Sequence, residues 1–390
     1  MEEWKSYKLG DVASVQTGPF GSQLHNEDYV SEGTPIVTVE HLGARKFSSQ
    51  NLPRVKEEDK IRLSKYSLKK GDIVFSRVGS VDRCSFVSPA EDGWLFSGRC
   101  LRVRSGESVC PLFLYYYFQK ESVKQEVRNV AVGATMPSIN TKLLSDLTVT
   151  LPSFSEQVRI SSVLSSLDDK IELNNRINHN LEKQVQDRFN ALIAEDNGAG
   201  FCQLSDVIDV NPSRKLSKNT LARCIEMSYL STNGSFPSGW EYKEYNGGMK
   251  FINGDTIMAR ITPCLENGKV AYINFLDSNE VGFGSTEYIV LRSKEQLPSE
   301  FTYFLARNPD FVDYAVKNMN GSSGRQRVSS DSIAKYIIPA ISSDSIQSFS
   351  EIAKSAMAII RTNCLENRSL VETRDTLLPA LMKGELPCNN

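Results

Sequence analysis

The chain of 390 residues carries a long internal duplication, and this feature constrains its fold most strongly. Segments of the first half recur in the same order in the second half, at offsets of 183 to 195 residues. The pairs are KLGDVASV (8–15) with QLSDVIDV (203–210), LKKGDIVFSRVG (68–79) with FINGDTIMARIT (251–262), LFSGRCLRVRS (95–105) with GFGSTEYIVLRS (282–293), and PLFLYYYFQKE (111–121) with PSEFTYFLARN (298–308). One structural element of about 190 residues is therefore predicted to occur twice.

Each copy begins with a globular part rich in predicted strands. A Gly-Asp turn leads into the apolar runs DIVFSRV (72–78) and DTIMARI (255–261), which are typical of strands. An aromatic helix follows, beginning near Pro111 and Pro298, and then a loop rich in glycine, serine and threonine. The predicted fold class is α+β, with two sheet-rich domains related by the repeat.

A long helix is predicted after each globular part. Residues 153–193 contain neither glycine nor proline, and their apolar side chains follow a heptad spacing. The apolar positions are Ile160, Leu164, Leu167, Ile171, Leu181, Val185 and Leu192 in the first copy, and Ile346, Phe349, Ala353, Ala356, Ile360, Leu370, Leu377 and Leu381 in the second. About 40 helical residues make a rod of about 60 Å. Since an apolar seam avoids water, the two helices are predicted to pair with each other as an antiparallel coiled coil.

Asparagines interrupt both seams near the middle of the helices. The heptad places Asn174 and Asn178 on the first seam and Asn363 and Asn367 on the second, 189 residues further along. A polar residue in a coiled-coil seam sets the register of the helices and lowers their stability. We expect the four asparagines to meet where the helices cross. The alternative is a local rotation that turns them outward.

Composition and motifs argue against an enzyme or a membrane protein. The net charge is −2, no apolar run approaches the length of a membrane span, and the start MEEWKSYKLGD does not resemble a signal peptide. A cytoplasmic location is therefore expected. No phosphate-binding loop, nucleophile elbow or methyltransferase motif occurs, and neither the eight cysteines nor the three histidines show metal-site spacing. The chain is expected to bind rather than catalyse, and to hold no metal.

Several motifs together resemble the specificity subunit of type I restriction-modification systems. They are KLGDV, LKKGDIVFSRVG, LPSFSEQVRISSVLSSLDDKIELN, ITPCLENGK, GSSGRQRVSSDSI and TRDTLLPALMKGEL. The resemblance covers nearly the whole chain. It implies a first target-recognition domain at 1–152, a central helix at 153–197, a second target-recognition domain at 198–341 and a C-terminal helix at 342–386.

The resemblance also implies a mechanism and a set of partners. Each recognition domain would read one half of a split site in double-stranded DNA, and the helices would act as a spacer and a docking site. The partners would be two modification subunits, which methylate adenine, and motor-nuclease restriction subunits. Those partners, and not this chain, would bind S-adenosylmethionine, ATP and magnesium. No membrane partner is expected.

Loops on the two domains supply candidate DNA contacts, because Arg, Gln, Asn and Glu side chains recognise base edges and Lys binds phosphates. In the first domain the candidates are Phe20, Gly21, Ser22, Gln23, Arg77, Ser80, Thr135 and Ser138. In the second domain they are Arg260, Thr262, Glu266, Asn267, Lys269, Ser285, Thr286, Arg325, Gln326 and Arg327, of which the last three lead. Arg77 and Arg260 match across the repeat and are predicted to share one task, either phosphate contact or internal pairing.

Three other functions remain open from the sequence. The chain would be a specificity factor of a methylation-only defence complex if no restriction subunit accompanies it. It would be a coiled-coil structural adaptor if no positive face spans both domains. It would be an enzyme of unrecognised chemistry if the pure chain acted on DNA, S-adenosylmethionine or ATP.

Overall fold

The structure is a computed structural model that describes residues 4–19, 23–194, 200–322 and 324–385. The chain divides into two compact units. Unit 1 comprises residues 1–169 and 371–390, and unit 2 comprises residues 170–370. The boundary falls within two long helices, so that each unit contains a segment of both.

Unit 1 begins with a sheet-rich part that ends at residue 151. Its strands are β1 (Lys5–Lys8), β2 (Ala13–Thr17), β3 (Tyr29–Val30), β4 (Thr34–Val37), β5 (Arg54–Val55), β6 (Ile73–Ser76), β7 (Cys84–Phe86), β8 (Leu95–Phe96), β9 (Cys100–Ser105) and β10 (Thr148–Leu151). Its helices are α1 (Leu9–Val12), α2 (Glu57–Arg62), α3 (Pro111–Gln119), α4 (Glu121–Val130) and α5 (Thr141–Ser145), after which the long helix α6 (Phe154–Ala194) begins.

Unit 2 repeats most of this order, although its described residues contain no helix equivalent to α2. Its strands are β11 (Phe201–Gln203), β12 (Ile208–Val210), β13 (Leu221–Ile225), β14 (Glu241–Glu244), β15 (Met249–Phe251), β16 (Thr256–Ala259), β17 (Val270–Tyr272), β18 (Gly282–Gly284), β19 (Tyr288–Ser293) and β20 (Ile337–Pro339). Its helices are α7 (Leu204–Val207), α8 (Phe301–Ala306), α9 (Pro309–Lys317), α10 (Ser330–Ala334) and the start of the long α11 (Ser343–Leu381). The predicted duplication and the α+β class are confirmed.

The sheets of the two units match strand by strand, with one difference. An antiparallel sheet has the order β2-β9-β6-β7 in unit 1 and β12-β19-β16-β17 in unit 2. A two-stranded sheet pairs β1 with β10, and its counterpart pairs β11 with β20. A further sheet is built on a parallel pair, β4 with β8 in unit 1 and β13 with β18 in unit 2. The strand order of this sheet is β3-β5-β4-β8 in unit 1 and β14-β13-β18-β15 in unit 2. The units differ in one edge strand, which is β3 next to β5 in unit 1 and β15 next to β18 in unit 2.

The central strands β6 and β16 lie between two apolar cores. Side chains alternate between the faces of a strand, so Ile73 and Phe75 join the core that contains α3 and α4, whereas Val74 joins the core of the second sheet. In unit 2, Met258 joins the core that contains α8 and α9, whereas Ile257 joins the core of the second sheet. Because both faces are covered, these strands read in the sequence as nearly continuous apolar runs.

The repeated Gly-Asp motif has a structural role. In unit 1 the Asp72 carboxylate accepts a hydrogen bond from the backbone nitrogen of Lys69 (2.7 Å) and two from the Arg104 guanidinium (2.6 and 2.7 Å). In unit 2 the Asp255 carboxylate accepts one from the backbone nitrogen of Ile252 (2.8 Å) and is paired with Arg292. The aspartate thus closes the turn before the central strand and neutralises an arginine on the neighbouring strand, which explains its recurrence.

The helices α6 and α11 pair antiparallel, as predicted. In unit 2, Asn174 of α6 contacts Asn367 of α11, and Asn178, one turn later, contacts Asn363, one turn earlier. In unit 1, Asp168 of α6 accepts a hydrogen bond from the Arg374 guanidinium (2.7 Å). Residue numbers therefore rise along one helix as they fall along the other. The helices are 41 and 39 residues long.

The seam asparagines form a hydrogen-bonded group. The Asn363 amide nitrogen donates to Asn178 Oδ1 (2.8 Å), and the Asn174 amide nitrogen donates to Asn367 Oδ1 (2.9 Å) and to Glu366 (2.7 Å). The side chains of Asn174 and Asn178 are buried. Each pair is joined by one amide hydrogen bond across the helix pair, which a shift in register would break, whereas the buried Oδ1 of Asn174 has no partner among the described residues.

Replacing Asn178 alone with leucine is expected to lower the free energy of unfolding by about 1–3 kcal/mol, because Asn363 loses its acceptor. Replacing Asn178 and Asn363 together with leucine is expected to be nearly neutral or stabilising, because neither side chain then leaves a polar partner unpaired. Urea unfolding of the single variants Asn178→Leu and Asn363→Leu and of the double variant measures the difference. A double variant whose loss equals the sum of the two single losses would contradict the pairing.

Candidate nucleic-acid interface

In unit 2, three segments that are distant in the sequence meet at the end of the central strand β16. The Arg260 backbone nitrogen donates to the Glu287 carbonyl (2.9 Å), and the Thr262 nitrogen donates to the Gln326 carbonyl (3.1 Å). The Val328 nitrogen donates to the Arg260 carbonyl (3.0 Å). We call residues 260–269, 285–287 and 320–328 the unit 2 loop cluster. It contains the candidate residues of the second domain.

An ion pair lies at the centre of the unit 2 loop cluster. Arg327 Nε donates to both carboxylate oxygens of Glu287 (2.9 Å each), and Arg327 Nη2 donates to one of them (2.8 Å). These hydrogen bonds hold the pKa of Glu287 below its ordinary value; the positive charges of Arg327 and Arg260 act in the same direction, and partial burial opposes them. Arg327 Nη1 also donates to the Arg325 carbonyl (3.0 Å). Most of the hydrogen-bonding capacity of Arg327 is therefore used within the cluster.

Three other predicted residues of this cluster also make internal contacts. Lys269 Nζ donates to the Met227 carbonyl (2.9 Å), Thr262 Oγ1 lies 3.6 Å from Met319 Sδ, and Ser285 Oγ accepts from the Glu287 nitrogen (3.1 Å). The buried Nε of Arg260 has no hydrogen-bond partner among the described residues. Sequence reasoning missed Arg307. Its Nη1 donates hydrogen bonds to the Gly268 and Thr232 carbonyls (2.9 Å each) and so ties the 262–269 loop to the segment at Thr232.

The remaining candidates of unit 2 present their side chains outward. Arg325, Glu266, Asn267 and Thr286 are exposed, and Gln326 is half-buried. None of these five side chains hydrogen-bonds to another residue in the part of the chain that the structure describes. Guanidinium, carboxylate and amide groups that keep their hydrogen-bonding capacity are suited to contacts with base edges.

Unit 1 has the same backbone frame at the end of β6. The Arg77 nitrogen donates to the Arg99 carbonyl (2.8 Å), the Gly79 nitrogen to the Pro137 carbonyl (2.8 Å), and the Ile139 nitrogen to the Arg77 carbonyl (2.9 Å). We call residues 77–83, 97–99 and 132–139 the unit 1 loop cluster. An isolated bridge joins Ser138 to Val132, just as one joins Arg327 to Asn320. Residues 99 and 287 are thus equivalent, and so are residues 138 and 327.

The side chains on this shared frame differ between the units. Arg99 stands where unit 2 has Glu287, Ser138 where it has Arg327, and Met136 where it has Arg325. The side chains of Arg99 and Met136 are exposed. The prediction for this cluster included Arg77, Ser80, Thr135 and Ser138 but not Arg99. The aligned segments LFSGRCLRVRS and GFGSTEYIVLRS contain the signal, because they place Arg99 opposite Glu287.

The other candidates of unit 1 have mixed surroundings. Ser80 and Thr135 are exposed, Ser138 Oγ donates to the Val132 carbonyl (3.1 Å), and Arg77 Nη1 donates to the Gly98 carbonyl (3.2 Å). Gln23 Oε1 accepts from the Tyr66 hydroxyl (2.7 Å). The candidates Phe20, Gly21 and Ser22 lie outside the described residues.

Two searches of the described residues returned nothing. No group of three or more His, Cys, Asp or Glu side chains is arranged to hold a metal ion. No described helix has both the length and the apolar character needed to cross a membrane.

Replacing Glu287 with glutamine is expected to leave the melting temperature near neutral pH almost unchanged, because ion pairs that water reaches contribute little stability. The pKa of Glu287 is lowered in the folded protein, so what the pair does contribute is present above the ordinary pKa of a glutamate and is lost as the pH falls through the lowered value. Differential scanning calorimetry at several pH values measures it. A large drop in melting temperature at neutral pH would show that the pair is structural.

Comparisons with known proteins agree on one family. The model described as "Type I restriction modification DNA specificity domain" matches residues 1–183 and again residues 198–369. The HindI specificity subunit of Haemophilus influenzae is 22% identical over 468 residues, covering 99% of this chain and all of that protein. The EcoAI specificity subunit of Escherichia coli is 30% identical over 137 residues, covering 34% of this chain and 23% of that protein.

A solved structure has the same fold. The type I restriction-modification S subunit of M. genitalium superposes with a TM-score of 0.61 at 16% identity, covering 97% of this chain and 96% of that one.

Proposed function

The chain belongs to the family of type I restriction-modification DNA specificity proteins, and on that premise we propose that each of its units reads one half of a split DNA site. It is a specificity subunit with two family domains. Unit 1 reads one half through the unit 1 loop cluster, and unit 2 reads the other half through the unit 2 loop cluster. Unspecified base pairs separate the two halves.

One observation carries this proposal: the two units build the same backbone frame and place different side chains on it. Backbone hydrogen bonds join equivalent residues at 77, 79, 99 and 137 in unit 1 and at 260, 262, 287 and 326 in unit 2. A shared frame supports one task, which is to present side chains to the groove. Different side chains on that frame support recognition of different bases, since the bases are distinguished by contacts to their edges.

The helix pair is proposed to fix the spacing of the two half-sites. Half-sites read from the same face of a duplex are separated by multiples of one helical turn, about 34–36 Å. A spacer must be rigid and must not slip, and the buried contacts of Asn174 and Asn178 with α11 support that role. The two helices are related by the repeat and offer two equivalent surfaces, which suits docking of two modification subunits.

Catalysis is assigned to the partners. We propose that the modification subunits methylate adenine with S-adenosylmethionine, and that motor-nuclease subunits cut unmodified DNA in the cytoplasm with ATP and magnesium. The chain supplies sequence recognition alone. Incubation of the pure chain with DNA and either S-adenosylmethionine or ATP is therefore expected to give no product, and turnover of either compound would contradict this division of tasks.

Selection from a random pool of duplexes tests the proposal. The complex of this chain with its methyltransferase subunits is incubated with the pool, and the bound duplexes are sequenced. Two short conserved blocks with a fixed unspecified gap are expected. A single continuous block would contradict the two-headed reading, and no enrichment would favour a structural adaptor. Adding a restriction subunit to this complex should leave the motif unchanged. The test is therefore the same whether the complete system restricts DNA or only methylates it.

The chain alone is expected to bind DNA weakly, because affinity for DNA depends strongly on phosphate neutralisation and the chain has a net charge of −2. Adding the methyltransferase subunits should raise the affinity and make the dependence on salt steeper. Fluorescence anisotropy with the selected duplex, at several salt concentrations, measures both quantities. Tight specific binding by the isolated chain would contradict the prediction.

A further inference from the structure

We propose that Arg99 is the principal base-reading residue of unit 1 and that it recognises a guanine in the half-site of that unit. This inference rests on the proposed function. It adds a specificity-determining residue that lies at the position equivalent to Glu287 in unit 2.

Arg99 lies where the end of β6 meets the turn before β9. Its carbonyl accepts the Arg77 backbone nitrogen (2.8 Å), so its backbone is held against the end of β6 at the centre of the unit 1 loop cluster. It directly precedes β9, which pairs with β6 along its length. A side chain in a turn whose backbone is anchored between two paired strands is presented in a defined place, as recognition of a single base requires.

The other two arginines of that cluster that the structure describes, Arg77 and Arg83, lie against the protein backbone. Arg77 donates to the Gly98 carbonyl (3.2 Å), and the Arg83 guanidinium lies against the backbone at Gly43. The Arg99 side chain is exposed and makes no hydrogen bond or ion pair with any other described residue. Ser138, the residue equivalent to Arg327, is uncharged and forms no ion pair with Arg99. Arg99 therefore keeps its donors for a ligand.

Unit 2 has a different side chain at the equivalent position, Glu287. There the same position carries a carboxylate, and Arg327 neutralises it through three hydrogen bonds of 2.8–2.9 Å. The Arg327 donors are therefore used within the cluster, whereas the exposed Arg325 of the same loop keeps its own. The two units therefore present a free guanidinium from different segments of one frame. Unit 1 presents it from the turn before β9, and unit 2 from the 320–328 loop.

Guanine is the base that this chemistry favours. A guanidinium fork donates two parallel hydrogen bonds to the O6 and N7 acceptors of guanine in the major groove. Lysine keeps the charge but lacks the planar fork, so the two residues are not interchangeable at such a contact. A phosphate contact would depend on charge and would carry no information about the base.

The test is binding of the complete methyltransferase complex to duplexes that carry the selected motif, with each position of both half-sites changed in turn. Arg99→Ala and Arg99→Lys are compared with the parent chain. The control is Lys70→Ala, which removes an exposed charge from the turn at the opposite end of β6. Both Arg99 variants are expected to lose roughly 10- to 100-fold discrimination at a single guanine position of one half-site. The other half-site and the control should be unaffected.

Failure of the Arg99 assignment and failure of the proposed split-site recognition give different results. Uniform weakening by Arg99→Ala with restoration by Arg99→Lys would identify a phosphate contact and overturn the inference. Unchanged discrimination in both variants would also overturn it, while a split motif in the parent chain would leave the proposed function standing. Absence of a split motif in the parent chain would overturn the proposed function itself.

Discussion

Replacing Asp255 with alanine is expected to lower the free energy of unfolding of unit 2 by about 3–5 kcal/mol. The Asp255 side chain is fully buried, binds the guanidinium groups of Arg214 and Arg292, and accepts a hydrogen bond from the Ile252 nitrogen. Without the carboxylate, two partly buried cations lose their counter-ion and the turn before β16 loses its closing bond. The change should also loosen the unit 2 loop cluster, which begins at the other end of β16.

The measurement is urea unfolding followed through Trp240, in a chain whose other two tryptophans, Trp4 and Trp94, are replaced by phenylalanine. Asp277→Ala is the matched control. Asp277 also pairs with an arginine, Arg223 at 2.7 Å, but its side chain is 80% exposed, so its loss is expected to cost at most about 1 kcal/mol. Equal losses for the two variants would contradict the structural role assigned to the Gly-Asp motif.

Much of the architecture follows from patterns that the sequence displays locally. The duplication, the strands after the Gly-Asp turns and the long helices depend on spacing within short windows. The contacts of Asn174 and Asn178 across the helix pair also followed from the heptad, because a polar residue on a seam has few partners other than the opposite seam. The differing edge strands β3 and β15 were not predictable, because they belong to segments that the repeat does not conserve.

The heptad rule itself failed near the end of α6. It selected Val185 and Leu192 and passed over Phe189, which is fully buried against Phe301, Phe304 and Phe349. A seam between two helices repeats every 3.5 residues, whereas a helix packed on a globular core keeps its natural 3.6. Here α6 packs against the core of unit 2 as well as against α11, so a wider face is buried.

The sequence indicated which loops form the candidate site, but not which of their side chains pair with each other and which stay exposed. Arg327 was a leading candidate for base reading. The fold brings Glu287 to it from 40 residues away in the sequence, and no local pattern indicates that pairing. Arg99 was overlooked for a related reason. Its equivalent in the repeat is an acid, so the alignment showed a difference in charge where shared chemistry was sought. The equivalence of the two positions is visible only in the shared backbone frame.

Exchanging residues 200–340 for the equivalent region of a relative with another motif is expected to change one half of the recognised site completely and the other half not at all. The exchanged region contains the whole unit 2 loop cluster and none of the unit 1 loop cluster. Phe301 and Phe304 are retained in the chimera so that the contacts with Phe189 and Phe349 persist. With α6 and α11 unchanged, the gap between the half-sites should keep its length.

The most direct measurement is genome-wide sequencing of methylated adenines in cells that carry the methyltransferase with either the parent chain or this chimera. The account predicts a split motif with a methylated adenine in each half for the parent. For the chimera it predicts the same gap, one half unchanged and one half taken from the relative. A change in both halves, or a continuous motif in the parent, would contradict the assignment of one half-site to each unit.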